Sequence, residues 1–243
     1  MKRKKKSVPV YALPAVTVVN NPVDETLIIR QEAMKKLVLT LAILIYIVTG
    51  CTNRHPRDAA IDTVLLQEGK FANHPADGGG ATNYGISLRL LKSLGMDIDM
   101  DGDVDIHDIM LVDEGIAREI YRNEWWEKYH YDNIKNPAIA TMILSLSVNI
   151  GAKNCHKIIQ KSINEVFVDA NITVDGNLGA RTLWHLDIAN DEDDIGKSVE
   201  RQLRMAVSKN AILYYESLVM KNRNLAVFLQ GWKNRVAYIT KVR

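Results

Sequence analysis

Helical spacing of apolar residues is the feature that most restricts the fold of this chain. After Asn136 and Pro137, apolar residues recur at intervals of three and four positions and stop at Gly151: Ile139, Met142, Ile143, Leu146 and Ile150. The last segment repeats this spacing with Leu225, Phe228, Leu229, Trp232, Val236 and Ile239. Such spacing places the apolar side chains on one face of an α-helix. Alternating strand patterns are nearly absent, so the sequence predicts a mainly α-helical fold.

Charge and cysteine content exclude several classes of protein. The 243 residues are 47% hydrophobic and 25% charged, which suits one large domain or two small ones. The net charge is +2, and the basic run from Lys2 to Lys6 accounts for more than this excess, so we expect no nucleic-acid partner. Two cysteines, Cys51 and Cys155, are too few for a disulfide framework. Cys155 is most simply a small core residue.

An apolar run near the amino terminus predicts export. Two lysines after Met34 precede the run Leu41 to Val48, which is shorter than the ~20 residues of a comfortable membrane span. A charged start followed by a short apolar run is typical of an export signal. The ending Val48-Thr49-Gly50-Cys51 resembles the box of a bacterial lipoprotein signal, which implies lipidation of Cys51.

Two alternatives to a lipoprotein signal remain for this run, a retained signal anchor and a buried core helix. We expect residues 34–51 to attach an exported protein to a membrane, on the side of the periplasm or cell wall. Residues 1–33 are predicted to be a disordered or non-native leader outside the folded unit.

A glycine-rich loop that carries candidate catalytic residues follows a predicted helix. The helix runs from Asp58, its expected N-cap, to Glu68, and Gly69 ends it. In the last turn of a helix, unpaired carbonyls disfavour a carboxylate, which favours the protonated form that a general acid needs. Asp77 precedes three consecutive glycines, Gly78 to Gly80, which allow the backbone to fold tightly, and Thr82 follows them. A glycosidase needs a protonated carboxyl and a second polar group on the opposite face of the sugar, so these three side chains are candidate catalytic residues.

The same loop resembles glycoside hydrolase family 108, the phage endolysin and secretion-activator group. The matching positions are Glu68, Gly69, Phe71, Asn73, Pro75, Asp77, Gly79, Gly80, Thr82, Gly85 and Ile86. Lys70 departs from the pattern, since the family usually has a second glycine there. The resemblance implies a lysozyme-like helical fold and cleavage between N-acetylmuramic acid and N-acetylglucosamine in peptidoglycan. It implies that Glu68 is the catalytic acid, while Asp77 and Thr82 are similar to the Asp and Thr of phage lysozymes.

A second resemblance covers the carboxy-terminal half. Its positions match a predicted peptidoglycan-binding domain: Asn149, Ile150, Gly151, Gln160, Asp175, Gly176, Gly179 and Thr182. The resemblance implies that peptidoglycan strands are the partner. We therefore expect a catalytic part at residues 58–136 and a helical peptidoglycan-binding part at 137–240, in a monomer.

An acidic loop predicts a structural calcium site. Acidic residues occupy positions 1, 3, 5, 7, 9 and 12 of a calcium-loop pattern: Asp97, Asp99, Asp101, Asp103, Asp105 and Asp108. Gly102 stands at the sharp turn and Val104 at the apolar eighth position. Asp108 is shorter than the usual bidentate Glu, which predicts a weaker site. The alternative is a solvated acidic loop without an ion.

Aromatic residues supply candidate contacts to sugar rings. Trp125 and Trp126 end a predicted helix, where packing into the core is the alternative role. Tyr84, inside the loop beside Thr82, is the better candidate, and Asn73 completes the predicted substrate-binding set. The histidines show no metal-binding spacing.

The leading interpretation is an exported muramidase with Glu68 as general acid. A different class stays open: a non-catalytic peptidoglycan-binding lipoprotein, in which Lys70 keeps Glu68 ionised. A docking protein acting through the acidic loop is a third interpretation, although it would want two such loops in tandem. Whether the reaction retains or inverts the anomeric carbon depends on the carboxyl separation, about 5 to 5.5 Å or about 6.5 to 9.5 Å.

Overall fold

The structure is a computed structural model that describes residues 34, 36–37, 54–69, 71, 81–191 and 193–242. Several predicted features lie outside these residues: most of the segment 34–51 with Cys51, and the loop residues Lys70, Asn73 and Asp77. Within the described residues, no helix is both long enough and apolar enough to cross a bilayer. Internal contacts divide the chain into Met1–Asn53 and Arg54–Arg243, and the secondary structure from Pro56 onward belongs to the second unit.

Nine α-helices and one small hairpin make up the described part of this second unit. They are α1 (Pro56–Glu68), β1 (Thr82–Asn83), β2 (Ile86–Ser87), α2 (Leu88–Leu94), α3 (Ile106–Leu111), α4 (Glu114–Tyr121), α5 (Pro137–Ile150), α6 (Ala152–Val166), α7 (Ala180–Ile188), α8 (Asp194–Lys221) and α9 (Ala226–Ile239). A π-helical turn spans Arg122–Glu127, and short 3-10 turns span Tyr131–Asn133 and Arg223–Leu225. The prediction of a mainly α-helical fold is confirmed.

Local sequence signals explain where two of these helices begin. Asn136 caps α5, and its Oδ1 accepts a hydrogen bond from the Ile139 backbone N–H at 3.0 Å. Pro137 fits the first turn because no backbone donor is needed there. Asp58 was the expected cap of α1, and this was wrong: His55 is the cap residue, and Asp58 lies in the first turn. The proline at the start of α1 again accounts for the earlier beginning.

The core lies around α5. This helix packs against α1 on one side and α6 on another, α6 packs against α8, and α8 packs against α9. Ile143, Leu144 and Leu146 of α5 are fully buried, as is Cys155 of α6. The predicted division at residues 136/137 therefore passes between two helices, α1 and α5, that share one core.

A buried polar network fixes the loop before α7. Gln160 is 1% exposed, and its amide nitrogen donates to Oδ1 of Asp175 (2.7 Å) and to the carbonyl of Asn177 (2.8 Å). Its Oε1 accepts from the Gly176 backbone N–H at 2.8 Å. Gly176 has φ +87°, and a Cβ there would lie 2.8 Å from the Lys153 carbonyl. These residues hold the loop against α6, which accounts for their residue types without a ligand.

Candidate active site

Glu68 is the last residue of α1, as the sequence predicts. Gly69 ends the helix with φ +71°, a conformation that glycine adopts without strain. The Glu68 side chain is only 14% exposed. Nη1 of Arg235, on α9, donates to its Oε1 at 2.5 Å, and the Arg235 side chain is also 14% exposed. The carboxylate is thus held by a guanidinium 167 positions further along the chain.

Gln67 joins this ion pair to the central helix. Its Oε1 accepts a hydrogen bond from Oγ of Ser145 on α5 at 2.7 Å. The Arg235 guanidinium approaches the same oxygen at 3.4 Å. The end of α1 is therefore anchored by both α5 and α9. Nε2 of Gln67 is buried and has no hydrogen-bond partner among the described residues.

A tight hairpin lies directly against Glu68. Its two strands pair antiparallel, Thr82 with Ser87 and Asn83 with Ile86, and the turn residues Tyr84 and Gly85 have φ +48° and +75°. Two consecutive left-handed residues are typical of the type I′ turn that matches strand twist.

Gly85 is the contact point of this turn. A Cβ on Gly85 would lie 2.6 Å from Cγ of Glu68 and 2.5 Å from Oη of Tyr121. The absence of a side chain at this position is what allows the hairpin backbone to approach the carboxyl-bearing chain. A bulkier residue would push Thr82, three positions earlier on the same hairpin, away from Glu68.

Tyr121 completes the surroundings of Glu68. It is fully buried, and its hydroxyl donates to the Tyr84 carbonyl at 2.8 Å. Burial raises the pKa of Tyr121 well above its ordinary value of 10, and the neighbouring charge of Glu68 raises it further. The phenol therefore remains a neutral donor that fixes the turn.

A side-chain clamp fastens the hairpin to the acidic loop. Asn83 is 7% exposed, and its Nδ2 donates to the carbonyls of Ile109 (3.1 Å) and Val112 (2.9 Å) at the end of α3. The acidic loop leads directly into α3. The hairpin beside Glu68 is thus positioned by the helix that follows the predicted calcium loop.

The acidic loop is folded on its own carboxylates. The Gly102 N–H donates to Oδ2 of Asp97 at 2.9 Å, with Gly102 at φ +103°. Asp108 is 1% exposed, and its carboxylate accepts from the backbone N–H groups of Asp105 (2.7 Å) and Ile98 (2.6 Å). These bonds, that of Asp105 first, hold the pKa of Asp108 below its ordinary value.

Carboxylate oxygens in this loop come close enough to share one cation. Two sets have oxygens within 4.8 Å of one another: Asp97, Asp99 and Asp108, and Asp103, Asp105 and Asp108. Val104, at the apolar eighth position, packs against the core. The loop geometry fits the calcium-loop pattern, although Asp108 already uses its oxygens to cap α3.

The predicted substrate-binding residues divide into three groups. Tyr84 is half-buried in the hairpin turn, and Trp125 is half-buried against Tyr121 with ring centroids 5.6 Å apart. Trp126 is 1% exposed, so its prediction as a stacking surface for sugar was wrong. Its indole N–H donates to Oδ1 of Asp132 at 2.7 Å, because the π-helical turn directs this ring into the core. Asn73 lies outside the described residues.

Sequence reasoning missed four residues of the site. They are Gln67, Gly85 as a contact to Glu68, Tyr121 and Arg235. Arg235 had one local signal, a cation next to the apolar stripe of the last helix, between Trp232 and Val236. Nothing local links it to a glutamate in the first helix.

Two segments of the chain are similar to known family models. Residues 61–151 match the family model described as glycosyl hydrolase 108, and residues 154–237 match the one described as a predicted peptidoglycan domain. No curated protein matches the sequence. Among solved structures, that of Brucella abortus SagA is similar, with a TM-score of 0.57 and 23% identity over 76% of this chain and 91% of the other. Identity this low shows a common fold alone. The chain therefore contains a segment similar to glycosyl hydrolase 108, followed by a segment similar to a predicted peptidoglycan domain.

Proposed function

We propose that this protein is an N-acetylmuramidase that hydrolyses the β-1,4 linkage between N-acetylmuramic acid and N-acetylglucosamine. The similarity to these two family models supports a peptidoglycan hydrolase. The observation that carries the finer proposal is the setting of Glu68, a helix-end carboxyl 14% exposed and enclosed by Arg235, Tyr121 and Gly85. Such enclosure suits a group that must hand one proton to one oxygen.

Glu68 acts as the general acid in this proposal. Its protonated carboxyl gives a proton to the glycosidic oxygen while positive charge develops on the departing ring. A glycan strand lying over the carboxyl excludes water from the reacting oxygen. Arg235 orients the carboxyl before the sugar arrives.

The opposite face of the sugar is served by Asp77 and Thr82. Either Asp77 attacks the anomeric carbon, with retention, or Asp77 and Thr82 orient a water, with inversion. Tyr121 and Gly85 support this face indirectly, because they fix the hairpin that bears Thr82.

The Arg235 contact also favours a second candidate function, a non-catalytic peptidoglycan-binding protein. Nη1 of Arg235 lies 2.5 Å from Oε1 and holds the oxygen that a general acid would have to turn towards the glycosidic bond. The sequence predicts Lys70 as the cation beside Glu68. Among the described residues, that cation is Arg235.

Zymography separates the two functions. The full chain, its Glu68→Gln variant and a Glu119→Gln control are run in gels containing purified peptidoglycan. Glu119 is an exposed carboxylate of α4 paired with Arg122 at 2.8 Å, so its loss should leave clearing intact. If the protein is a muramidase, the parent and Glu119→Gln clear the gel and Glu68→Gln does not. If the parent clears no wall material, or if Glu68→Gln clears it equally well, the catalytic proposal fails.

We propose a structural Ca²⁺ in the acidic loop as part of the same function. The ion would be held by Asp97, Asp99 and Asp108, whose carboxylate oxygens lie within 4.8 Å of one another. Asp101 would join them as the fifth-position ligand of the loop pattern, and Asp108 is the weakest candidate because it also caps α3. Bound there, Ca²⁺ neutralises the crowded carboxylates. The Asn83 clamp would carry this stabilisation to the hairpin beside Glu68.

The proposed enzyme works on the wall side of a membrane. Attachment through residues 34–51, by lipidation of Cys51 or as a signal anchor, would keep it near its substrate. Labelling cells with a fatty acid distinguishes the two, since Cys51→Ser abolishes labelling only of a lipoprotein.

A further inference from the structure

A groove beside the ion pair is not used by the proposed mechanism. It has a volume of about 800 Å³ and lies between the end of α1, at Leu66 and Gln67, and one face of α9. Arg235 contributes to its lining and also contacts Glu68. The groove therefore shares Arg235 with the candidate catalytic carboxyl, although Glu68 itself does not line it.

The α9 side of the groove presents unusual apolar exposure. Phe228 and Tyr238 are 43% and 46% exposed, although both line the groove. Trp232 lies between them in sequence and stacks on Tyr215 with centroids 4.9 Å apart and ring planes 19° apart. The ring centroids of Phe228 and Trp232 are 6.0 Å apart. Aromatic rings held in this way offer flat apolar surface together with polar edges.

One buried donor in the groove lacks an acceptor. The Gln67 side-chain oxygen is occupied by Ser145, whereas its Nε2 is buried without a hydrogen-bond partner among the described residues. A buried unsatisfied amide costs about 1 to 3 kcal/mol, so a ligand that brings an acceptor gains from filling this place. Among the described residues, the groove lining contains one cation, Arg235, and no carboxylate.

We propose that this groove is a saccharide subsite that binds an N-acetylated hexose of the glycan strand next to Glu68. The acetamido carbonyl accepts a hydrogen bond from Nε2 of Gln67, and the apolar face of the ring lies against Trp232 and Phe228. The inference deepens the proposed function and depends on it for the identity of the strand. It also assigns a substrate-contacting role to α9, a helix of the predicted peptidoglycan domain.

Gly231 provides a clean way to block the groove. It lines the groove, and a Cβ built on it meets nothing within 4 Å. Gly231→Trp therefore fills the groove without touching the core, and it replaces a poor helix former. Ala237→Trp is the matched control, since Ala237 is exposed on the same helix and does not line the groove.

Calorimetry with chitotetraose, a neutral N-acetylated tetrasaccharide, tests the subsite on the full chain. Gly231→Trp should weaken binding at least tenfold, whereas Ala237→Trp should bind as the parent does. Thermal melts show that each variant remains folded. The proposal is overturned if the parent does not bind the saccharide, or if Gly231→Trp binds it equally well. Binding of a free stem peptide instead of the saccharide, blocked by Gly231→Trp, also overturns it.

The outcomes separate this inference from the proposed function. If Gly231→Trp abolishes binding of chitotetraose but the parent clears no peptidoglycan, the subsite proposal stands and the muramidase proposal fails. If the parent clears peptidoglycan, Glu68→Gln does not, and Gly231→Trp leaves saccharide binding unchanged, the muramidase proposal stands and the subsite proposal fails.

Discussion

Replacing Arg235 with methionine removes the only cation seen on Glu68 among the described residues and leaves a carboxylate that is 14% exposed. The methionine keeps much of the apolar stem of arginine, so packing of α9 changes little. Glu68→Gln removes the charge from the other side. The two single variants and the double variant form a thermodynamic cycle that isolates the interaction between the two residues.

The size of this interaction follows from the geometry. Unit charges about 4 Å apart attract by about 4 kcal/mol at an effective dielectric constant of about 20. The contact of Nη1 with Oε1 at 2.5 Å, with both side chains mostly buried, places the pair in this regime. Loss of water from both ions offsets part of the attraction. We expect a coupling energy of about 1 to 3 kcal/mol.

Urea denaturation of the four proteins gives the free energies of unfolding for the cycle. The pair of Lys209 with Glu165 is the matched control, since its N to O distance is 3.1 Å but its side chains are 64% and 31% exposed. An exposed pair should couple by about 0.2 to 1 kcal/mol. If the coupling of Glu68 with Arg235 is no larger than that of the control pair, the ion pair does not hold the carboxyl, and the reasoning about this site is refuted.

Three further predictions concern the hairpin, the loop and the core. Gly85→Ala should lower stability and wall clearing much more than Gly95→Ala. Both positions have positive φ, but only a Cβ at position 85 meets Glu68, 2.6 Å from its Cγ. Equal effects of the two substitutions in urea melts and zymograms would contradict this prediction. Millimolar Ca²⁺ should raise the melting temperature of the parent and not of Asp101→Asn, and no shift with ion or chelator would count against the site. Burial lowers the pKa of His156 below its ordinary 6.5, so the unfolded chain takes up a proton first as the pH falls, and stability should decline below about pH 6.5. His156→Asn should lack this part of the pH dependence, and an unchanged profile would exclude the histidine as its source.

Local signals in the sequence were sufficient for the helices and for Glu68. The cap Asn136, the proline after it and Gly151 predicted α5, which spans Pro137–Ile150. Gly69 ends α1 directly after Glu68, as its residue type indicates. Capping and periodicity depend on neighbours within a few positions, which is why a single sequence records them.

The surroundings of Glu68 could not be predicted in the same way. Arg235 reaches it from 167 positions away, and only the packing of α9 brings the two together. Trp125 and Trp126 look equivalent in the sequence, yet the π-helical turn at Arg122–Glu127 leaves one half-buried and the other fully buried. Such a turn shifts the angular position of every side chain after it, so a count of 3.6 residues per turn assigns the wrong face.

The ion pair between the two family segments has a consequence for protein engineering. Glu68 belongs to the segment that matches the hydrolase model, and Arg235 to the segment that matches the predicted peptidoglycan domain. In this chain a cut after residue 151 would remove Arg235, the partner of Glu68, and the α9 side of the groove. The two segments therefore have to be kept together. A change of specificity has to be made by substitutions within α9, because exchanging the whole segment would break the ion pair.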